Sequence, residues 1–360
     1  MTAHPPDPKD RPADPPRNAP AQLTNPAPVA DGAGFAAARR LGVVVIGRNE
    51  GERLRRCLTS VATPSQAIVY VDSGSSDGSI SLARAMGVEV VDLDMTRPFT
   101  AGRARNAGFR RLMEIASQTK LVQFVDGDCE LFGSWLTLAA SFLETNSGVV
   151  CVCGRLHERY PGRSIYNRLC DAEWDRAEGE TDACGGILLV DASAFAATGG
   201  FNESLIAGEE PEWCLRVRAQ GGRIWRLSND MALHDADMHR FSQWWRRATR
   251  GGYAAAEGVA LHGAAPRTHY AGRLGKIGFW SVGLPIAILV FATLNPWFLL
   301  GATAYPVQVA RLALRHRPAD RVAWTAALFQ VLAKFAEAAG AARYYADRLR
   351  RRQGRLIQYR

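Results

Sequence analysis

The run Leu121-Val122-Gln123-Phe124-Val125 stops abruptly at Asp126-Gly127-Asp128. An apolar stretch rich in Val and Phe reads as a buried strand. In an open α/β sheet, ligands sit beyond the carboxyl ends of the strands. Two carboxylates there, as hard oxygen donors, suit Mg²⁺ or Mn²⁺ rather than zinc. A polar turn with one Asp capping the next helix is the plainer alternative. Two earlier apolar runs end in the same way, at Glu50 and at Asp72. A carboxylate such as Asp72 can accept a hydrogen bond from a base imide or a ribose hydroxyl, or it can anchor its own Ser/Gly turn. Arg105, near a predicted helix start, can meet a base or a phosphate, or remain a solvated helix charge.

The elements that must carry these groups alternate regularly. Leu41 to Ile46 reads as a buried strand, followed by a helix from Glu52 with Leu54, Leu58 and Val61 on one face. Ala67 to Val71 is a second strand, and Asp77 is placed to cap the helix carrying Leu82, Ala85 and Met86. Val88 to Val91 is a third strand, and Ala101 to Ala116 a helix. The Asp126/Asp128 strand follows. Such spacing means βαβ units and an α/β fold with a mostly parallel sheet. Further on, Val149 to Leu156, Gly185 to Val190 and Arg223 to Leu227 read as strands. Glu209 to Gln220 reads as a helix with Trp213, Leu215 and Val217 partly inward.

Composition limits the function classes. The 360 residues allow one large domain and an appendage. The net charge is +9. Residues 311 to 360 hold 12 Lys/Arg and 3 Asp/Glu, which already gives +9, so the remainder is balanced. Basic residues flanking apolar segments point to an anionic membrane surface and not to nucleic acid. Seven scattered cysteines without a C-x-x-C pair suggest reduced thiols and a cytosolic main domain. Cys151 and Cys153 fit the interior of a strand. Residues 1–38 hold 9 of the 18 prolines and read as a disordered arm. No apolar leader is visible there.

The tail predicts membrane attachment. Ile277 to Leu294 is apolar, Asn295-Pro296 breaks it, and Trp297 to Leu314 is apolar again. Each run approaches the ~20 residues that cross a bilayer. Arg273 and Lys276 precede the pair, and Arg311, Arg315 and Arg317 follow it. This predicts a hairpin with both ends, and the main domain, on the cytoplasmic side of the inner membrane. A re-entrant pair is the alternative. Val322 to Ala342 contains Lys334 and Glu337 and predicts an amphipathic surface helix, with Arg348 to Arg355 at the lipid headgroups. The segment Gln243-Trp244-Trp245-Arg246-Arg247 likewise predicts an amphipathic helix at the interface.

The motifs together resemble family 2 glycosyltransferases with the nucleotide-diphospho-sugar (GT-A) fold. They are Val43-Val44-Val45-Ile46-Gly47-Arg48-Asn49-Glu50, Val71-Asp72-Ser73-Gly74-Ser75-Ser76-Asp77-Gly78-Ser79, Ala104-Arg105-Asn106-Ala107-Gly108 and Asp126-Gly127-Asp128. Gly199-Gly200-Phe201-Asn202-Glu203 and Gly208-Glu209-Glu210-Pro211-Glu212-Trp213-Cys214-Leu215-Arg216 complete the set. The resemblance spans roughly residues 41 to 250. It implies a domain over 39–262 and a membrane-associated region over 263–360.

By that resemblance, Asp72 holds the nucleobase, Glu50 lines the nucleotide pocket, and Arg105 and Glu209 also face the nucleotide-sugar. Asp128 is the main metal ligand, Asp126 serves the ribose or the metal, and His234 matches the C-terminal metal-binding histidine. Glu210 stands where the family usually has the Asp of its Glu-Asp catalytic pair. Glu keeps the carboxylate on a stem one methylene longer, so the backbone must stand further back. Family chemistry then predicts a metal-dependent inverting transfer, with Glu210 as the base. Its pKa would be raised by Glu209 and Glu212. The donor would be a nucleotide-diphospho-sugar and the acceptor a saccharide or lipid-linked molecule at the membrane. Two rivals share the fold. A non-catalytic nucleotide-sugar-binding scaffold is motivated by Glu210. A sugar-phosphate nucleotidyltransferase would want a Gly-rich loop that Gly47-Arg48-Asn49-Glu50 does not supply.

Overall fold

The computed structural model describes residues 41–63, 66–263, 269–316 and 321–351. The predicted arm over 1–38 and residues 352–355 of the last basic run lie outside these residues. Val-rich segments buried on both faces form the centre of the sheet, as parallel strands covered by helices require. These are β1 (Leu41–Gly47), β2 (Ala67–Asp72) and β4 (Leu121–Asp126), with the less buried β3 (Glu89–Asp92) at the edge. β1 pairs in parallel with β2 and β4, and β2 with β3. Helices α1 (Glu52–Val61), α2 (Ser79–Ala85) and α3 (Ala101–Ile115) make the crossovers. The predicted face of α1 is buried, with Cys57 added to it. Asp77 accepts from the Ser79 amide and hydroxyl, one place outside the cap position that left-handed Gly78 occupies.

Beyond β4 the sheet is mixed. β5 (Cys129–Leu131), α4 (Trp135–Thr145), β6 (Val149–Glu158), α5 (Ile165–Trp174) and β7 (Gly179–Glu180) come first. β8 (Leu188–Asp191), α6 (Ala192–Ala197), α7 (Glu209–Ala219) and β9 (Arg223–His234) complete the domain. The strand order is β3-β2-β1-β4-β8-β6-β9-β5, with β7 on β9. β8 is antiparallel to β4 and β6, while β9 is parallel to β6. The carboxyl ends of β1, β2, β4, β6 and β9 therefore share one rim. Two sequence expectations change here. Residues 185–187 are not strand, since pairing begins at Leu188. β9 is much longer than Arg223–Leu227 because bulges let it follow β6 to the rim. All seven cysteines are free and buried, in keeping with a reduced interior.

The C-terminal helices depart further from expectation. α8 (Phe241–His262) carries the Trp244-Trp245 pair near its start. Trp244 is buried among Cys170, Ala236 and Met238. α9 (His269–Gly278), a π turn and α10 (Leu284–Leu294) carry the first apolar run. The second run is split into a 3₁₀ helix (Pro296–Thr303) and α11 (Ala304–His316), the latter with Pro306 in its first turn. α12 (Arg321–Leu349) packs one side against α8 and leaves the other side open. Gly252 of α8 and Gly340 of α12 bring the two backbones together: a Cβ on Gly252 would stand 1.9 Å from the Glu337 carbonyl oxygen. Small residues permit this approach, and Glu337 is buried between Arg273 (2.8 Å) and Lys334 (2.6 Å). Among the described residues, the helices long and apolar enough to cross a membrane, by length and composition, are Tyr270–Leu294 and Arg321–Leu349. They fit a membrane-associated region.

Candidate active site

Strand register sets the first half of the site. Gly47 lies opposite Asp72, and Ile46 opposite Asp126, so the loops after β1, β2 and β4 open side by side. The chain then turns at Gly127 and enters β5, which runs antiparallel along β9 with Cys129 opposite His234. This delivers Asp128 to His234, with Oδ2 3.6 Å from Nε2. On the other side of the imidazole, Glu158 Oε2 is 3.7 Å from Nδ1. Glu158 is itself held by the amides of Tyr160 (3.1 Å) and Ala236 (3.0 Å) and by Asn167 Nδ2 (3.1 Å). The Trp174 ring meets the imidazole edge-on at 4.9 Å. A carboxylate behind a histidine orients it and favours one ring nitrogen as a ligand. Asp128, Cys129 and His234 offer donor atoms all within 4.8 Å of one another. A carboxylate and an imidazole aimed at one point fit a divalent cation.

The second half is organised by Arg105, whose side chain is only 3% exposed. Its Nη2 donates to Asp126 Oδ1 at 2.8 Å. Its Nη1 donates to Glu209 Oε1 and Glu210 Oε1, both at 2.9 Å. One planar fork thus joins the end of β4 to the start of α7. The guanidinium lies 5.7 Å from the centroid of the Phe201 ring, above the packed rings of Phe124, Phe195 and Trp213. Asn106 closes on both backbone groups of Phe201, donating from Nδ2 (2.8 Å) and accepting at Oδ1 (2.9 Å). Arg216 Nη2 reaches the Gly200 carbonyl at 2.7 Å. These bonds fix the turn that launches α7. The helix starts at left-handed Gly208, and its first turn carries Glu209, Glu210 and Glu212, where the helix dipole favours negative charge.

Burial pushes the Glu210 carboxyl up to about 7. The Glu209 charge and, more weakly, Asp126 add to this, while Arg105 opposes it. Glu212, expected to contribute, is not among the main causes. Its carboxylate is turned away, held by Arg216 Nε (2.9 Å) and beside His262 (3.1 Å). Burial works against the Arg105 charge, but Asp126, Glu210 and Glu209 outweigh it and hold its pKa above the ordinary value. Gly186, in the stretch before β8, crosses directly over this cluster. A Cβ there would stand 2.3 Å from Arg105 Nη2 and 3.1 Å from Glu210 Oε1.

Of the residues singled out in the sequence, Asp126, Glu209 and Glu210 meet on Arg105, and Asp128 meets His234. Glu50 lies on the same rim, paired with Arg53 at 2.9 Å. Its Cγ is 3.3 Å from the position a Gly127 Cβ would take. Asp72 is fully buried and already accepts from four donors. These are the amides of Gly74 (2.9 Å) and Ser75 (2.7 Å) and the hydroxyls of Ser75 (2.5 Å) and Tyr70 (2.8 Å). The turn it anchors is tied to the loop after β1, where the Ser76 amide donates to Asn49 Oδ1 at 2.7 Å. Arg105 meets three carboxylates here. Glu158 and Gly186 were missed. Glu158 ends a strand on the active rim, so extending β6 by two residues would have found it. Gly186 has no sequence signal apart from Gly185 beside it.

Residues 42–197 match the model of the family described as Glycosyl transferase family 2. That stretch is similar to family 2 glycosyltransferases, and the fold around it is GT-A-like. The matched stretch ends before α7, so Glu210 and His234 are placed by geometry and not by the match. Among solved structures, a mannosyltransferase, PcManGT from Pyrobaculum calidifontis in complex with GDP-Man and Mn²⁺, is similar at 21% identity. Its TM-score is 0.59, over 86% of this chain and 87% of that one. TarS from S. aureus aligns at 14% identity and TM-score 0.48, over 87% and 92% of the two chains. Glucosyl-3-phosphoglycerate synthase from Mycobacterium tuberculosis, in complex with Mn²⁺ and UDP-Glc, aligns at 16% and 0.46, over 66% and 86%. No curated protein sequence matches significantly.

Proposed function

We propose that the protein moves a sugar from a nucleotide-diphospho-sugar to an acceptor held at a membrane, with inversion at the anomeric carbon and with Mg²⁺ or Mn²⁺ bound. The observation that carries this reading is the meeting of Asp126 and Glu210 on Arg105, one turn of chain from the Asp128–His234 pair. Asp128 and His234 would hold the cation, with Asp126 next to it. A divalent cation there neutralises the charge that develops on the departing diphosphate. Glu50 and the loops it joins line the nucleotide side. Asp72 shapes the base pocket through its turn. A direct bond from Asp72 to a base requires one present donor, most simply the Ser75 hydroxyl, to rotate away.

Glu210 takes the proton of the acceptor hydroxyl as that oxygen attacks the anomeric carbon from the face opposite the diphosphate. A carboxylate with a pKa near 7 is a competent base at neutral pH. Arg105 keeps the carboxylate aimed. The GDP-Man and Mn²⁺ of the Pyrobaculum structure support a nucleotide-sugar and a metal, at fold level.

The acceptor side is read from the tail. Phe279, Ile286, Leu289, Leu294, Trp297 and Leu300 expose half or more of their surface, which suits acyl chains better than water. An open groove of about 430 Å³ between α11 and α12 is lined by apolar side chains such as Pro306, Val309, Leu328 and Phe335. A saccharide on a lipid carrier, at the cytoplasmic face of the inner membrane, suits this surface. The test is turnover of a panel of nucleotide-sugars by the full chain in lipid nanodiscs with Mn²⁺. Proton NMR reads the anomer formed. One donor should be consumed and its anomeric configuration inverted. Retention of configuration, or binding with no turnover of any donor and lipid-linked acceptor, overturns the proposal.

A further inference from the structure

We propose that Cys129 is a third protein ligand of the cation, so that this chain holds a divalent ion before any nucleotide arrives and favours ions softer than Mg²⁺. The inference rests on the reading of Asp128 and His234 as metal ligands but not on sugar transfer. Cys129 faces His234 directly across the β5–β9 ladder. Directly opposed residues project to the same side, with Cβ atoms about 4.5–5.5 Å apart. Cys129 Sγ lies 3.1 Å from Asp128 Oδ1, and Asp128 Oδ2 lies 3.6 Å from His234 Nε2. All three donor atoms fall within 4.8 Å of one another. An ion with oxygen and nitrogen ligands at about 2.1 Å and sulfur at about 2.3 Å sets neighbouring donors about 3–4 Å apart. The triad needs only a small contraction to reach that spacing.

The donor set has consequences. Carboxylate alone suits Mg²⁺, whereas imidazole and thiolate favour Co²⁺, Zn²⁺ and Cd²⁺. Three protein ligands leave the remaining positions for diphosphate oxygens and water. Forming the metal–sulfur bond breaks the S–H bond, and that proton leaves to solvent. Glu158 behind His234 directs the opposite ring nitrogen toward Asp128 and Cys129.

The test is Co²⁺ titration of the full chain in detergent, without nucleotide, followed by absorption. Wild type should develop an intense near-ultraviolet sulfur-to-cobalt charge-transfer band. Cys129→Ser keeps a hydrogen-bond donor toward Asp128. It should lose the band, bind Co²⁺ at least about tenfold more weakly, and release one proton fewer per ion. His234→Ala should lose binding as well. If His234→Ala abolishes binding while Cys129→Ser leaves band and affinity unchanged, sulfur ligation is wrong and the site reading survives. If neither substitution alters Co²⁺ binding, the metal site itself is misplaced and the sulfur claim falls with it.

Discussion

Glu210→Gln is expected to lower sugar transfer by about 10²–10⁴-fold, the usual contribution of a positioned general base. The amide keeps the shape of the side chain and an oxygen for Arg105 Nη1, now 2.9 Å from Oε1. The fold and the donor site should therefore survive. The pH dependence separates a base from a structural carboxylate. Glu210 works only when ionised, and its pKa stands at about 7. Wild-type activity should rise with pH up to that point and then level off. The residual activity of the variant should show no inflection there. Stability runs the other way. The folded pKa lies above the unfolded value of about 4.3, so the stabilising contribution is complete below that value and is lost as pH rises through about 7. Glu210→Gln should thus melt above wild type at pH 8 and level with it near pH 4. Full activity in the variant would remove Glu210 from the chemistry.

The largest effect on stability is expected at Arg105. Its guanidinium compensates Asp126, Glu209 and Glu210 at 2.8–2.9 Å in a site where its own side chain is 3% exposed. Arg105→Met leaves those carboxylates facing one another without a cation. Breaking a buried ion network from one side costs about 3–5 kcal/mol, and denaturant titration should register a loss of that order. Arg105→Lys keeps the charge but supplies a compact ammonium in place of a planar fork. It cannot span both β4 and α7, and should recover only part of the loss. Combining Arg105→Met with Glu209→Gln should also recover part, because one repelling charge is gone. A loss below about 1 kcal/mol in Arg105→Met would mean that the cluster is solvated and the hub unimportant.

The contrast between what the residues foretold and what they did not has a physical pattern. β1, β2 and β4 were legible because each is a short Val-rich run buried on both faces and cut by a polar loop. Their shared rim then follows from the parallel topology, and with it the placing of Glu50, Asp72 and Asp126. α7 was legible from the spacing of its apolar residues, of which Trp213 and Val217 are buried. What escaped depends on long-range pairing. The short β5 has no pattern of its own and exists because β9 is there to receive it. β9 looked short because bulges break its alternation before His234. Arg105 was read toward the ligand because sequence spacing cannot tell that Glu209 and Glu210, about a hundred residues later, arrive at the same guanidinium. The apolar tail was recognised as such, but its helix boundaries were not. Pro296 separates the two runs, the second divides at Thr303–Ala304 just before Pro306, and Gly252 and Gly340 let α12 approach α8 closely.

The claim on which the functional reading depends is that Asp128 and its neighbours form a cation-dependent diphosphate site. Calorimetric titration of UDP and GDP into the full chain, with and without Mn²⁺, tests it directly. At least one of the two should bind in the presence of Mn²⁺ and lose most of its affinity when the ion is removed. Asp128→Asn should abolish the Mn²⁺ dependence while leaving the melting profile of the fold intact. Equal affinity with and without the ion, or an Asp128→Asn protein that binds like wild type, would contradict it.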